Sequence, residues 1–149
     1  MDPIERLTAI EEIKQLKARY FRCMDMKDWD GQVTVFAPDV EVDVSGEMAP
    51  GENGVIRGAQ EFVTFNRGHI EHVLTVHHGH MPEIEITSDT TATGIWSMED
   101  MLRWRDGGPM RTLHGYGHYH ETYEKTAGEW RIKTMRISRL KRVLEKGAT

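Results

Sequence analysis

The chain has a single cysteine, Cys23, in 149 residues, so no intramolecular disulfide can form. A thiol beside an internal apolar residue fits a reducing compartment. No stretch approaches the roughly 18 apolar residues that a membrane helix requires, so no membrane partner is expected. Positive charge is also scarce: the net charge is -5 and the pI near 5.9, without the broad basic footprint that nucleic acid demands. The one basic cluster, "RISRLKRVLEK", reads as a solvated strand end or helix. A Gly-rich phosphate loop and a nucleophile elbow are both missing, which argues against nucleotide-dependent and serine-hydrolase chemistry. The opening "MDPIERLTAIEEIKQLKARYF" is charged from its second residue and lacks an apolar signal core, so a cytoplasmic protein is expected.

What is present suggests one domain over residues 1–149, with a core burying about two-thirds of the unfolded surface. Leu7, Ile10, Ile13, Leu16, Tyr20 and Met24 recur at three- and four-residue steps, predicting an amphipathic helix that Asp25 closes. Trp29, Val33 and Phe36 suggest a short second helix stopped by Pro38. The period then changes: "VEVDVSGE" alternates like a half-buried strand, "MAPGENGVIRG" reads as a loop, and "AQEFVTFNRGHIEHV" as a third helix weakened by Gly68. Four strand-like segments follow, separated by turns at "SDT", "DGGP" and "AGE". Helices first and an antiparallel meander afterwards predict an α+β fold whose curved sheet the helices partly close.

Three histidines fall in "TVHHGHMPEIEI". Alternation along a strand puts His77 on one face with Thr75 and Gly79, and sends His78 and His80 to the other. The HxHxxxxE spacing of His78, His80 and Glu85 matches three metal ligands of cupin barrels. The flanking glycines and the second cupin motif are missing, however, and Pro82 interrupts the spacer, so no metal site is assigned. His118 and His120 form a second same-face pair, read more simply as surface or interface histidines. Proton transfer needs one histidine and a carboxylate to orient it, for which His77, Asp25 and Asp100 are the candidates.

The segments "AIEEIKQLKARYFRCMDMKDWDGQVTVFAPDVEVDVSG", "HHGHMPEIEI", "GHYHETY" and "GEWRIKTMRISRLKR" resemble the SnoaL-like branch of the nuclear transport factor 2 superfamily, over roughly residues 3 to 142. That resemblance implies a cone-shaped α+β barrel, N-terminal helices on a strongly curved and mainly antiparallel sheet. Scytalone dehydratase, bile acid 7α-dehydratases and hexachlorocyclohexane dehydrochlorinase, which use no cofactor, pair a histidine base with an aspartate from the end of the first helix. Those positions match His77 and Asp25. The bile acid enzymes add a tyrosine, a second aspartate and a last-strand arginine, matched by Tyr20, by Asp100 and by Arg136 or Arg139. The dehydrochlorinase has a lysine where this chain has Tyr20, which argues against dehalogenation.

The implied activity is a cofactor-independent elimination of water: His77, oriented by Asp25, removes a proton while Tyr20 or a protonated Asp100 assists the leaving hydroxyl. Without a leaving group the same parts would isomerise or cyclise, with a hydroxymethyl group they would release formaldehyde, and without chemistry they would only bind. Trp29, Phe65, Trp96, Met98 and Tyr116, with His118 and the two arginines, are candidates to bind a hydrophobic cyclic or aromatic hydroxylated substrate. Nine methionines suit an adaptable pocket. The resemblance also implies a homo-oligomer, a trimer before a dimer, through the outer sheet face of strand 113–123. Loop 46–57 is a candidate cover for the cavity.

Overall fold

The computed structural model describes residues 1–147, so the last two residues of the expected 1–149 unit lie outside the described residues. Helix α1 spans Pro3–Asp25. It starts at a capping box: the Asp2 carboxylate accepts from the Glu5 N–H, Glu5 returns the favour at the Asp2 N–H, and Pro3 follows at the first helical position. Its buried stripe is Ala9, Ile13, Leu16, Lys17, Tyr20 and Met24, whereas Leu7, expected on that stripe, is 66% exposed. Ile13, Leu16, Tyr20 and Met24 of the expected stripe are buried and Ile10 is half-buried, so the departure is confined to Leu7 near the start of the helix.

Helix α2 (Trp29–Val33) is shorter than expected. Phe36 and Pro38 belong instead to strand β1 (Phe36–Asp43), and Pro38 is no helix stop. The ladder from β1 to its neighbour slips between Phe36 and Glu41, so the missing N–H of Pro38 falls where pairing is already interrupted. A single 3-10 turn, Ser45–Glu47, and strand β2 (Val55–Arg57) occupy the stretch read as loop, and helix α3 covers Ala59–Ile70, passing through Gly68.

Strands β3 (Leu74–Ile86), β4 (Thr91–Arg103), β5 (Met110–Thr126) and β6 (Glu129–Lys146) form the expected meander, and the basic cluster is the solvated end of β6. The six-stranded sheet runs β2-β1-β6-β5-β4-β3, antiparallel except where β1 lies parallel to β6. A bulge in β3 between Gly79 and Pro82, and others where β5 meets β6, bend the sheet around the helices. This is a mixed α+β architecture with a curved, unclosed sheet. Its concave face carries Trp96 and Met98 from β4, Tyr119 and Tyr123 from β5, and Ile132 and Met135 from β6, all packed into one core with α1 and α3.

Candidate active site

Asp25 is the last residue of α1. The chain leaves the helix through a Schellman turn: Asp28 N–H bonds the Cys23 carbonyl and Lys27 N–H the Met24 carbonyl, with Lys27 left-handed at φ 59°. A non-glycine residue there costs about 1–2 kcal/mol. The turn aims the Asp25 carboxylate at β3, where it accepts the His77 backbone N–H at 2.9 Å, His77 Nδ1–H at 2.6 Å and the Thr75 hydroxyl at 3.0 Å. Burial alone would raise this carboxyl, but the hydrogen bonds and charge of His77, joined by Thr75, outweigh it and hold it below its ordinary value. Because an ionised carboxylate only accepts, Nδ1 must donate, which leaves Nε2 unprotonated in the neutral imidazole.

Asp100 faces His77 directly across the β3–β4 ladder, with its Oδ2 3.9 Å from His77 Nε2. Both Asp100 oxygens accept from Arg139, Nη1 at 2.7 Å and Nη2 at 2.9 Å, while Arg139 Nε donates to Glu47 at 2.6 Å. Burial opposes the charge on Arg139, and Asp100 and Glu47 more than restore it. A bidentate pair of this kind makes Asp100 an acceptor, so the expected alternative in which a protonated Asp100 donates to the leaving group does not fit. Gly115 makes the pair possible: a Cβ there would lie 2.5 Å from Asp100 Oδ1 and 2.4 Å from Arg139 Nη1.

Tyr20 and Tyr119 complete the polar wall. Burial pushes both phenols far above their ordinary range, so both are held neutral with their hydroxyl protons in place. Beneath them the fully buried Lys17 ammonium sits 4.0 Å from the Tyr20 ring centroid and 3.5 Å from that of Tyr119, paired with buried Glu121. Burial pulls Lys17 down to about 8 against the opposing effect of Glu121. Glu121 also accepts from Tyr123, whose hydroxyl accepts from Trp96 Nε1 at 2.8 Å.

Tyr20, Tyr119, His77, Asp100 and Arg139 border a cavity of about 230 Å³ that opens between α1, α3 and the sheet, with Phe62, Phe65, Met48 and Ile137 among its apolar lining. His77, Tyr20, Asp100, Arg139 and Phe65 are therefore brought together, with Asp25 directly behind His77. Other expected lining residues fall elsewhere. Trp96 and Met98 are buried in the core, the latter with its sulfur 3.8 Å from Arg139 Nη1, and Trp29 packs at the edge of the core. On β5 the buried positions are Gly115, Gly117, Tyr119, Glu121 and Tyr123, so Tyr116 and His118 lie on the opposite, outer face. Arg136 is exposed opposite His120, which leaves Arg139 as the last-strand arginine of the site.

Sequence pattern alone does not single out Tyr119, Glu47, Lys17 or Glu121. The odd-numbered run of glycine and tyrosine in "GYGHYHETY" was the available signal for the inward face of β5. Of loop 46–57, Glu47 and Met48 reach the cavity, and Arg142 bonds the Gly46 carbonyl at 2.7 Å and Glu47 at 3.0 Å. On the outer face His78, His80 and His114 surround Glu99 rather than Glu85. Among the described residues no group of three or more His, Cys, Asp or Glu side chains is arranged to hold a metal ion. None of the helices of the described residues is long and apolar enough to cross a membrane.

Residues 5–136 match the SnoaL-like domain, and the chain belongs to that family. It superposes with a TM-score of 0.82 on a provisionally assigned scytalone dehydratase from Novosphingobium aromaticivorans, at 21% identity over 95% of this chain and 91% of that one. A hexachlorocyclohexane dehydrochlorinase from Novosphingobium barchaimii superposes at 0.83, with 16% identity over 99% and 97%. By sequence, a provisionally assigned cyclase from Gibberella zeae is 24% identical over 139 residues, 86% of this chain and 89% of the relative.

Proposed function

We propose that this chain is a lyase-type enzyme that eliminates water from a neutral, hydrophobic cyclic or aromatic hydroxylated compound, using its own side chains as acid and base. The carrying observation is the Asp25–His77 pair, with Nδ1 committed to Asp25 and Nε2 at the cavity. In the proposed step, His77 Nε2 takes a proton from a carbon next to a carbonyl or aryl system. The electron pair left behind forms the new double bond as the carbon–oxygen bond breaks, and the oxygen departs as water with a proton from Tyr20. The proton on His77 then restores Tyr20, so the enzyme ends unchanged. Asp100 and Arg139 form a fixed dipole beside the reacting atoms.

The substrate class follows from size and charge. A cavity of about 230 Å³ lies just below the usual range of ligand sites and suits a compound of one or two rings. Arg139, its lining arginine, is engaged by Asp100 and Glu47, so a neutral substrate suits it better than a carboxylate. The family and its dehydratase-named relative support elimination. The cyclase-named relative supports a second reading, isomerisation or cyclisation by the same base where the substrate has no leaving group.

The test is a mass-spectrometric turnover screen of hydroxylated one- and two-ring compounds with wild type, His77→Ala and Asp25→Asn. Loss of 18 mass units, corresponding to one water, abolished in His77→Ala supports the lyase. A product of unchanged mass supports the isomerase. Equal binding by all three proteins without turnover overturns both in favour of a binding module.

A further inference from the structure

We propose that Lys27 is a positioning residue of this site, fixing the direction of the Thr75 hydroxyl toward Asp25 and setting the charge balance at His77. The inference rests on the reading of His77 as the base. Lys27 Nζ donates to Thr75 Oγ1 at 2.8 Å, and the Thr75 hydroxyl donates to Asp25 Oδ1 at 3.0 Å. An ammonium has only donors, so the Thr75 oxygen must accept from it, and the single hydroxyl proton is left for Asp25. Asp25 in turn receives Nδ1–H of His77. The donors of Lys27 and Thr75 on one side and of His77 on the other thus converge on Asp25 as the terminal acceptor, and Nδ1, committed there, leaves Nε2 as the free lone pair.

The backbone supplies an independent observation. Lys27 occupies the left-handed position of the Schellman turn, where glycine is the unstrained residue. Its side chain folds back over the helix end to reach Thr75, which is 2% exposed. Burial lowers the Lys27 ammonium while Asp25 raises it, consistent with a cation held partly out of water in the field of that carboxylate.

Charge balance explains what such a cation does. His77 is flanked by Asp25 from α1 and Asp100 from β4. Arg139 from β6, itself shared with Glu47, neutralises Asp100. Tyr20, Tyr119 and His69 complete the titratable groups of the cavity, from α1, β5 and α3. Lys27 is the counterpart of Arg139 on the Asp25 side. With both carboxylates compensated, His77 sits in a balanced charge field rather than between two bare anions.

The test follows the His77 ring-proton NMR signal against pH in the full chain, with His77→Asn used for assignment. In Lys27→Met and Lys27→Gly the half-titration point should move up by ~0.5 pH unit, as expected for losing one partly screened cation. Lys27→Arg, which keeps a donor-only cation, should stay within ~0.2 unit of wild type. Lys27→Gly relieves the left-handed strain and should melt no lower than wild type, so a shift in that variant cannot be ascribed to a weakened fold. An unmoved midpoint in Lys27→Met and Lys27→Gly, or an equal shift in Lys27→Arg, would overturn the proposal. The base reading fails separately, if His77→Ala retains the turnover of wild type in the compound screen.

Discussion

His77 and Asp100 are directly opposed residues of the β3–β4 ladder, so their side chains project to the same side of the sheet and meet with Nε2 and Oδ2 3.9 Å apart. One parity choice thus delivers both groups to the cavity. It also brings Arg139 over Gly115 to Asp100, so the strand-borne groups of the proposed mechanism are set by that registration, while Asp25 and Tyr20 come from α1.

Removing the base should be the most damaging change to turnover. His77→Ala is expected to lower kcat/KM by about 10³–10⁴-fold, and Asp25→Asn by about 10²–10⁴-fold, because the amide can present an N–H to Nδ1 and reverse the tautomer. Steady-state kinetics on the compound found in the screen checks this. A fall in kcat/KM of less than tenfold in His77→Ala would remove it from the chemistry.

Gly115→Ala should separate activity from stability. The new methyl must displace the Arg139–Asp100 pair, yet what gives way is the end of a flexible arginine rather than backbone. A stability loss of about 1–2 kcal/mol is expected, together with a reduction in kcat/KM well beyond it. Denaturant unfolding and kinetics on the same preparation measure the two.

The Lys17–Glu121 pair should behave as a buried ion pair. Lys17→Met leaves the Glu121 carboxylate buried without its partner and should destabilise by about 3–5 kcal/mol. Lys17→Met combined with Glu121→Leu removes both charges, although Tyr123 then loses an acceptor, and should recover much of that loss. A double variant no more stable than Lys17→Met would show that the pair is not what the first substitution disrupts.

Asp25 predicts an acid limb in stability. Its folded carboxyl titrates below the ordinary 3.8, so its contribution is fully present above that value and is lost as pH falls through the folded one. The stability gap between wild type and Asp25→Asn should therefore be flat near neutrality and shrink below about pH 4. Chemical unfolding of both proteins across that range reads it out, and a gap that widens toward acid would contradict the assignment.

Much of the architecture was legible because it is written in local period. The three-to-four step of α1, the alternation of the later strands and the turn residues between them each depend on chain geometry within a few residues. The same local rule sorted His77 from His78 and His80, and resemblance added Asp25, Tyr20, Asp100 and an arginine. Pro38 is ambiguous in sequence because proline is excluded from helix interiors and from regular ladders alike, and only the irregular β1–β6 pairing shows which case applies.

The sequence by itself determined α1, α3, the four long strands and the His77, Asp25 and Asp100 candidates, since backbone sterics and side-chain type act over short distances. The tertiary structure alone decided which face of β5 turns inward, so that Tyr119 and not Tyr116 reaches the cavity. It also decided which arginine meets Asp100 and which acid, 104 residues away, accompanies Lys17. Those outcomes depend on sheet curvature, bulges and ion pairs between distant segments, and a buried charge or a strand parity is chosen by its partner across the fold rather than by its neighbours in the chain.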